Sequence, residues 1–568
     1  MLQRLFHKFI FLLFILLSHC ALAYNGHWYV AIGGTGQGTN GWADATNDLQ
    51  GAISACASNY TVWVSNGTYT TTNTWSPEET WEKNFIVVGG GVTVRSKTGN
   101  PEDVILDGNA GSRVVKMNAS SWLRDVVVYN ARLFESEASG AGVSGGNISN
   151  CIVRYNLSDG NHCGGAGASG CTIYNSTIHN NSAPGAGGGG CSGCIVYDST
   201  LYLNTTDYDG GGDFGSTLYN CIIRNNTAKN MGGGGSGSTL YNCQIYENTS
   251  TDMDGGGLNG ATASNCTITT NAANGEWATG GGGANGGILY NCIISGNSSK
   301  LGGGTYGTIL YNCTNSGNSA IDGGGGMYGG TASNCLITGN TVNEDGGGAY
   351  AATIRNSVIS NNSCTVGGIG GGAYNCTIYN SIINNNYTAS DSGGGIAMGN
   401  IYNCLVSYNS TPSSDGGGGY GCNFYNCTVV SNTAGSTGGG GYGCNFYNSI
   451  SWGNNVEDVG GSQSYSCGLG FAGTGSITND PLFVGESDYS LQSGSPCINK
   501  GNNAGWIGLT NSVDLLNNKR IWPQGGIVDM GAYEYDSKPD YPLPSYVSLA
   551  GVGLNIKGIG LCLKGKTQ

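Results

Sequence analysis

Charge is scarce in this 568-residue chain. Only 10% of its residues are Asp, Glu, Lys or Arg, and the formal balance is −14. Without a surplus of Lys and Arg, no basic patch can neutralise phosphates, which excludes nucleic acid as a partner. The same deficit makes a strongly anionic polymer a poor ligand unless metal ions mediate. Long apolar runs are missing as well. After residue 23 no segment has the length and apolarity to cross a bilayer, so the chain does not read as an integral membrane protein. The leucine spacing of leucine-rich repeats is absent, and 105 glycines are too many for helical repeats.

The one strongly apolar stretch is at the start. Arg4 and Lys8 precede the run Phe9–Leu17, and Ala21-Leu22-Ala23 offers a cleavage site before Tyr24. Residues 1–23 therefore read as an export signal. The alternative is lipidation at Cys20, in the weak box Leu17-Ser18-His19-Cys20.

What the chain does have is a short phrase repeated from residue 151 onward. It reads LYNCIIRNN at Leu218–Asn226, LYNCQIYEN at Leu240–Asn248 and LYNCIISGN at Leu289–Asn297. With its Cys or Ser as position zero, the phrase falls at fourteen places from Cys151 to Ser449, about 22.9 residues apart. All fourteen copies have Asn at +5. Thirteen have Asn at −1, with Asp198 the exception, and ten have Tyr at −2. Position +2 is nearly always Ile, Val or Leu, and +1 and +3 vary. This is period two, a strand with zero and +2 facing inward. The apolar residue at −3 requires a bend before zero, and Asn at −1 tolerates the left-handed conformation. A glycine run, such as Gly255–Gly257, then lets neighbouring backbones approach closely. Such a unit buries its apolar side only against a copy of itself. The predicted architecture is an all-β, right-handed parallel β-helix with coils of about 23 residues. Its Asn columns would form amide ladders.

Twenty-one cysteines remain after export. At position zero they read as small buried filler interchangeable with Ser. Cys171 and Cys194, and Cys422 and Cys444, fall on adjacent coils, which leaves inter-coil disulfides open.

Outside the repeat, residues 24–150 read as an N-terminal cap and first coils. A short helix carries Leu49, Ala52, Ile53 and Cys56 on one face, with Thr46 or Asn47 as its cap. Residues 151–455 are regular coils, 456–535 a different C-terminal cap, and 536–568 a tail.

The opening WYVAIGGTGQGTNGWADATNDLQGAI, followed by VWVSNGTYT, resembles the start of secreted bacterial β-helix proteins of the pectin-lyase-like superfamily. The ending NDPLFVGESDYSLQSGSPCINKG, then DLLNNKRI and VDMGAYEY, is similar to the C-terminal region of choice-of-anchor proteins. The Gly-rich coils with a recurring Asn look like polymorphic outer-membrane protein repeats. The resemblance covers most of residues 28–535 and implies a β-helix, export and a place outside the cell or on its surface. It leaves activity open, because the superfamily includes lyases, hydrolases, esterases and adhesins.

Its lyases hold Ca²⁺ with clustered carboxylates beside an Arg or Lys base, and its hydrolases use a group of Asp residues. The outward positions +1 and +3 contain no Asp or Glu in any of the fourteen coils. The reading is that no carboxylate pair assembles on that sheet. The +3 column instead offers Arg154, His179, Tyr202, Arg224 and Tyr246 on successive coils, a row suited to a sugar chain. For a metal, Asp322 and Asp345 are the best pair, on adjacent coils beside glycine runs; Ca²⁺ is the ion they would take, although Asp-Gly is also an ordinary turn. Arg95, Asp103, Asp107, Arg113, Arg124 and Asp125 lie in the N-terminal segment with no spacing that singles one out. The expected role is binding or adhesion to extracellular polysaccharide without catalysis. The alternatives are a polysaccharide lyase or glycoside hydrolase, and a structural surface-layer protein.

Overall fold

The computed structural model describes residues 26–71, 84–134, 139–160, 164–275, 280–505, 513–521 and 526–535, and the short strands Val547–Leu549 and Val552–Leu554. The export signal and Cys20 lie outside these residues, as does the rest of the tail. The chain divides into two compact units, residues 1–205 and 206–568. Each is a parallel β-solenoid with coils of about 23 residues, as expected for a right-handed β-helix.

One coil of the second unit shows the design. Its four strands are Gly235–Ser236, Thr239–Tyr241, Gln244–Tyr246 and Thr249–Ser250. Gly237, Asn242 and Glu247 turn the corners between them, with φ of 64°, 54° and 55°. The bend expected at −1 is present, since all fourteen residues there have positive φ. Two further corners, at −6 and +4, are equally regular. Asn or Gly occupies +4 in eight of the fourteen copies, and residues such as Tyr155, Leu203 and Thr270 hold the same left-handed φ in others.

Each corner is followed by an inward residue that bonds to the next coil. At +5, Asn248 is fully buried. Its Oδ1 accepts from Asn226 Nδ2 and from Asn226 N, both at 3.0 Å, and its Nδ2 donates to Asn271 Oδ1 at 3.0 Å and to Ile223 O at 2.9 Å. The ladder runs from Asn226 to Asn454 in the second unit and through Asn156, Asn181 and Asn204 in the first. Position zero is more than filler. Cys266 Sγ accepts from Cys243 N at 3.4 Å, and Ser357 Oγ accepts from Cys335 N at 3.0 Å. Sulfur and oxygen serve there because both can accept that amide. The expected neighbours also meet as thiols: Cys444 Sγ accepts from Cys422 N at 3.3 Å, and Cys194 Sγ from Cys171 N at 3.4 Å. Burial pushes the Cys376 thiol up to about 12.

The helix Leu49–Ala55 buries Leu49, Ala52 and Ile53. Its cap is Asp48 rather than Thr46 or Asn47, because the Asp48 carboxylate reaches Gly51 N at 2.7 Å. At the other end, Phe471 lies against Phe446 in the core, ring centroids 5.1 Å apart. The chain then folds back along the third-strand face. Tyr489, Ala532 and Tyr533 cover Leu405 and Val430, with Ile382 and Trp452 packed alongside. Of the outward +1 and +3 positions, Leu405, Thr428, Val430 and Ile450 are therefore buried under protein, and Ile382 and Trp452 partly so.

Candidate functional site

In the first unit, Arg154, His179 and Tyr202 stand in register on adjacent coils. His179 stacks on Tyr202 with centroids 4.7 Å apart and planes 3° off parallel, and Tyr155 meets His179 edge-on. His179 is only 9% exposed. Burial, with the Arg154 charge also adverse, pushes its imidazole below the usual range; the Asn180 hydrogen bond opposes this. The rings spend their faces on one another.

The same column continues toward the N-terminus. Arg154 aligns with Tyr129, and Tyr129 with Asp107. One carboxylate, Asp107, therefore stands in this column two coils before the fourteen repeats begin, which leaves the reading that no carboxylate pair assembles among those repeats unchanged. Asp107 Oδ1 accepts from Asn109 N at 2.7 Å and Asn130 Nδ2 at 3.0 Å. A second carboxylate, Glu102 from the turn Pro101–Asp103, grips both terminal nitrogens of Arg154 at 3.0 Å. In the second unit, Arg224 aligns with Tyr246, and Arg224 Nη1 donates to Asn225 Oδ1 at 3.0 Å.

The other N-terminal candidates separate by role. Arg113 is buried and donates to Gly140 O, Asn84 Oδ1 and Ser139 O, so it is structural. Asp103 accepts from Thr98 and Asn100 within its own turn. Arg95 and Arg124 stand in register on the second-strand face. Arg95 pairs with Asp125 at 2.7 Å and lies over Trp63; Arg124 lies over Trp122, 4.2 Å from its centroid.

Asp322 and Asp345, the pair read as best suited to a metal, each have a protein partner of their own. Asp322 faces Lys300 at 3.6 Å, and Asp345 Oδ1 accepts from Ile369 N at 2.9 Å. Asp209, Asp254 and Asp415 repeat the second arrangement, accepting from Met231 N, Gly280 N and Thr437 N on the next coil. These carboxylates tie one glycine turn to the next. Among the described residues no three His, Cys, Asp or Glu side chains converge.

No protein-family model and no curated protein matches the chain. Among solved structures, a pectate lyase is similar at 14% identity over 90% of this chain and 97% of its own, with a TM-score of 0.23. The A-module of a mannuronan C-5 epimerase from Azotobacter vinelandii is 13% identical over 76% of this chain and 95% of its own, TM-score 0.17. A mannuronic acid specific polysaccharide family 6 lyase from human gut microbiota is 10% identical over 60% and 81%, TM-score 0.22. Likenesses this distant add nothing to the chemistry of the site.

Tyrosines also form ordered rows on the outside. On the second strands, Tyr379, Tyr402, Tyr425 and Tyr447 stack at 4.8–4.9 Å, with planes within 12°. On the first strands, Tyr306, Tyr328 and Tyr350 stack at 5.1 and 4.5 Å, and Tyr374 follows tilted by 39°. The second-strand row was visible as Tyr at −2. The first-strand row was missed, although Tyr after a glycine run in GGGTY, GGGGMY and GGGAY marks it. Beside the second-strand tyrosines runs an outer amide row, in which Asn291 donates to Asn265 and Asn312 to Asn291.

Proposed function

We propose that the chain binds neutral extracellular polysaccharide along its outer side-chain rows and does not cleave it. The observation that carries this reading is the pairing of half-exposed tyrosine rows with amide rows at the spacing of the coils. Phenol hydroxyls, ring edges and amides, repeated at regular intervals, suit a polymer of hydroxyl-rich rings. The low charge favours a neutral polymer over an anionic one. Export by residues 1–23, a place outside the cell or on its surface, and an adhesive role belong to the same reading. Among the described residues, no helix is long and apolar enough to cross a membrane.

The test is to incubate the mature protein with cellulose, xylan, pectin and alginate, with and without Ca²⁺. Retention and the appearance of unsaturated or reducing ends are both followed. Retention without new ends is the expected result. New ends refute the non-catalytic reading, and absence of both leaves a structural surface-layer role. Cleavage is the second reading, favoured by Asp107 standing in one column with Arg154 and His179, with Glu102 on Arg154. On that reading Asp107→Asn or Glu102→Gln abolishes the new ends and leaves retention.

A further inference from the structure

The second-strand tyrosine row of the second unit is interrupted at two places by serine. In register it runs Tyr219, Tyr241, Ser264, Tyr290, Tyr311, Ser333, Arg355, Tyr379. Tyr219 stacks on Tyr241 at 5.0 Å and Tyr290 on Tyr311 at 5.2 Å. Each serine therefore leaves a gap one side chain wide. One gap lies between the ring faces of Tyr241 and Tyr290. The other lies between Tyr311 and the guanidinium of Arg355, whose opposite face rests on Tyr379 at 4.0 Å. The tyrosines bordering the gaps are the exposed ones, Tyr241 at 37%, Tyr290 at 38% and Tyr311 at 39%, while Tyr219, Tyr379, Tyr402, Tyr425 and Tyr447 are less exposed. Ser264 and Ser333 are themselves partly accessible.

The first unit shows what such a gap accepts. There the register runs Arg124, Ser149, Tyr174. The space over Ser149 is filled by the indole of Trp122, which leans in from the neighbouring column. Arg124 lies 4.2 Å from its centroid, and Tyr174 stacks on it at 5.9 Å and 21°. A flat ring between a guanidinium and a tyrosine thus completes a serine gap. Among the described residues of the second unit no ring or cation contact fills either gap in that way.

We infer that the two open gaps are subsites, each taking one pyranose ring of a polysaccharide: one clamped between Tyr241 and Tyr290 over Ser264, the other between Tyr311 and Arg355 over Ser333. This deepens the carbohydrate-binding reading above and rests on it. The dimensions suit a puckered ring. Two coil spacings separate the flanking side chains by ~9.6 Å, and contacts of ~3.5–4 Å on either face use ~8 Å of it. The polar partners are in place at the first gap. Asn242 donates to Asn220 and Asn291 donates to Asn265, but among the described residues no bond joins Asn242 to Asn265. The Asn242 amide oxygen and the Asn265 amide nitrogen next to Ser264 are left for sugar hydroxyls. Both apolar faces of the sugar meet a flat cationic or aromatic surface. Because the ring planes lie across the solenoid axis, the bound polymer crosses the coils parallel to the strands.

The test compares wild type with Ser264→Tyr, Ser333→Tyr and the double variant on the same four polymers. Tyrosine fills each gap with the residue the row already uses, and thermal unfolding checks that the solenoid stays intact. Ser264→Ala keeps the gap open and serves as the control. Retention of wild type and Ser264→Ala, with affinity of the double variant at least tenfold weaker, is the expected result. Equal retention of the double variant overturns the subsites and leaves the carbohydrate-binding reading standing. Failure of wild type to bind any of the polymers overturns both.

Discussion

The asparagine at +5 uses all of its hydrogen-bonding capacity. Its oxygen takes two donors and its amide gives two, and that accounting holds coil after coil. No other side chain has this balance of groups at this length, which is why the position is Asn in all fourteen copies. The residue just before it is different. Position +4 is held at positive φ whatever occupies it, including Leu203 at 53° and Thr270 at 53°. A left-handed conformation costs a residue with a Cβ ~1–2 kcal/mol, and a β-branched one is an outlier there. Gly296, Gly317 and Gly339 show the relaxed solution in the next coils. Thr270 is exposed, so little packing is lost by shortening it. Thr270→Gly is therefore expected to stabilise the protein by about 1 kcal/mol, after the extra freedom glycine gains in the unfolded chain. A denaturant midpoint that falls instead of rising refutes the strain at this corner.

At the scale of the strand and turn, the glycine run sets how closely one wall of a coil approaches the rest. A Cβ on Gly257 would lie 2.5 Å from Gly283 O and 3.0 Å from the Asn271 side chain. Neither neighbour can retreat, since one is backbone and the other is locked in the ladder. Gly257→Ala is expected to cost about 3 kcal/mol, at the upper end for overpacking, read from the shift in denaturant midpoint. Full stability in this variant refutes the close approach. Where such contacts repeat every 23 residues, the fold is legible in the sequence. Strand direction, the −1 bend, the Asn ladder and the register of Arg154, His179 and Tyr202 all follow from one period. The rest was hidden for identifiable reasons. The +4 corner shows only a partial preference for Asn and Gly, because its neighbours impose the conformation on other residues as well. Asp107 and Tyr129 share the column, but the steps from Asp107 to Tyr129 and from Tyr129 to Arg154 lie outside the repeated phrase. The covering of Leu405 and Val430 by Tyr489 and Tyr533 joins residues with no periodic relation. The serine gaps become visible only once the tyrosine row is known to stack.

For the molecule as a whole, a solenoid's stability is a sum of coil-on-coil contacts, and an end needs a substitute for the missing coil. Inside the second unit, glycine amides bond to the next glycine run, as Gly418 N does to Gly439 O and Gly419 N to Gly440 O. Gly438–Gly441 has no further three-glycine run after it to bond to. Gly440 N and Gly441 N bond instead to one carboxylate oxygen of Asp458, at 2.8 and 2.7 Å, while the Ser451 hydroxyl donates to the other oxygen. Burial pushes Asp458 up to about 6; the three hydrogen bonds oppose this, and the Glu457 charge adds to it. An acid with a raised folded pKa holds its proton more tightly folded than unfolded. Its effect on stability is then most favourable below the unfolded value of 3.8 and declines as pH rises to about 6. Two pKa units correspond to about 3 kcal/mol. Glu534, pushed up to about 9 mainly by burial, and Asp514 and Asp529, raised for the same reason, act in the same direction. The Asp458 share is therefore a difference between proteins. Asp458→Asn keeps an acceptor for the two glycine amides but cannot ionise. Wild type should lose about 2 kcal/mol more than Asp458→Asn between pH 4 and pH 7, as measured by denaturant unfolding across that range. Parallel stability curves for the two proteins would mean that Asp458 is ionised in both folded and unfolded states, and that the end of the solenoid is closed by a solvated carboxylate.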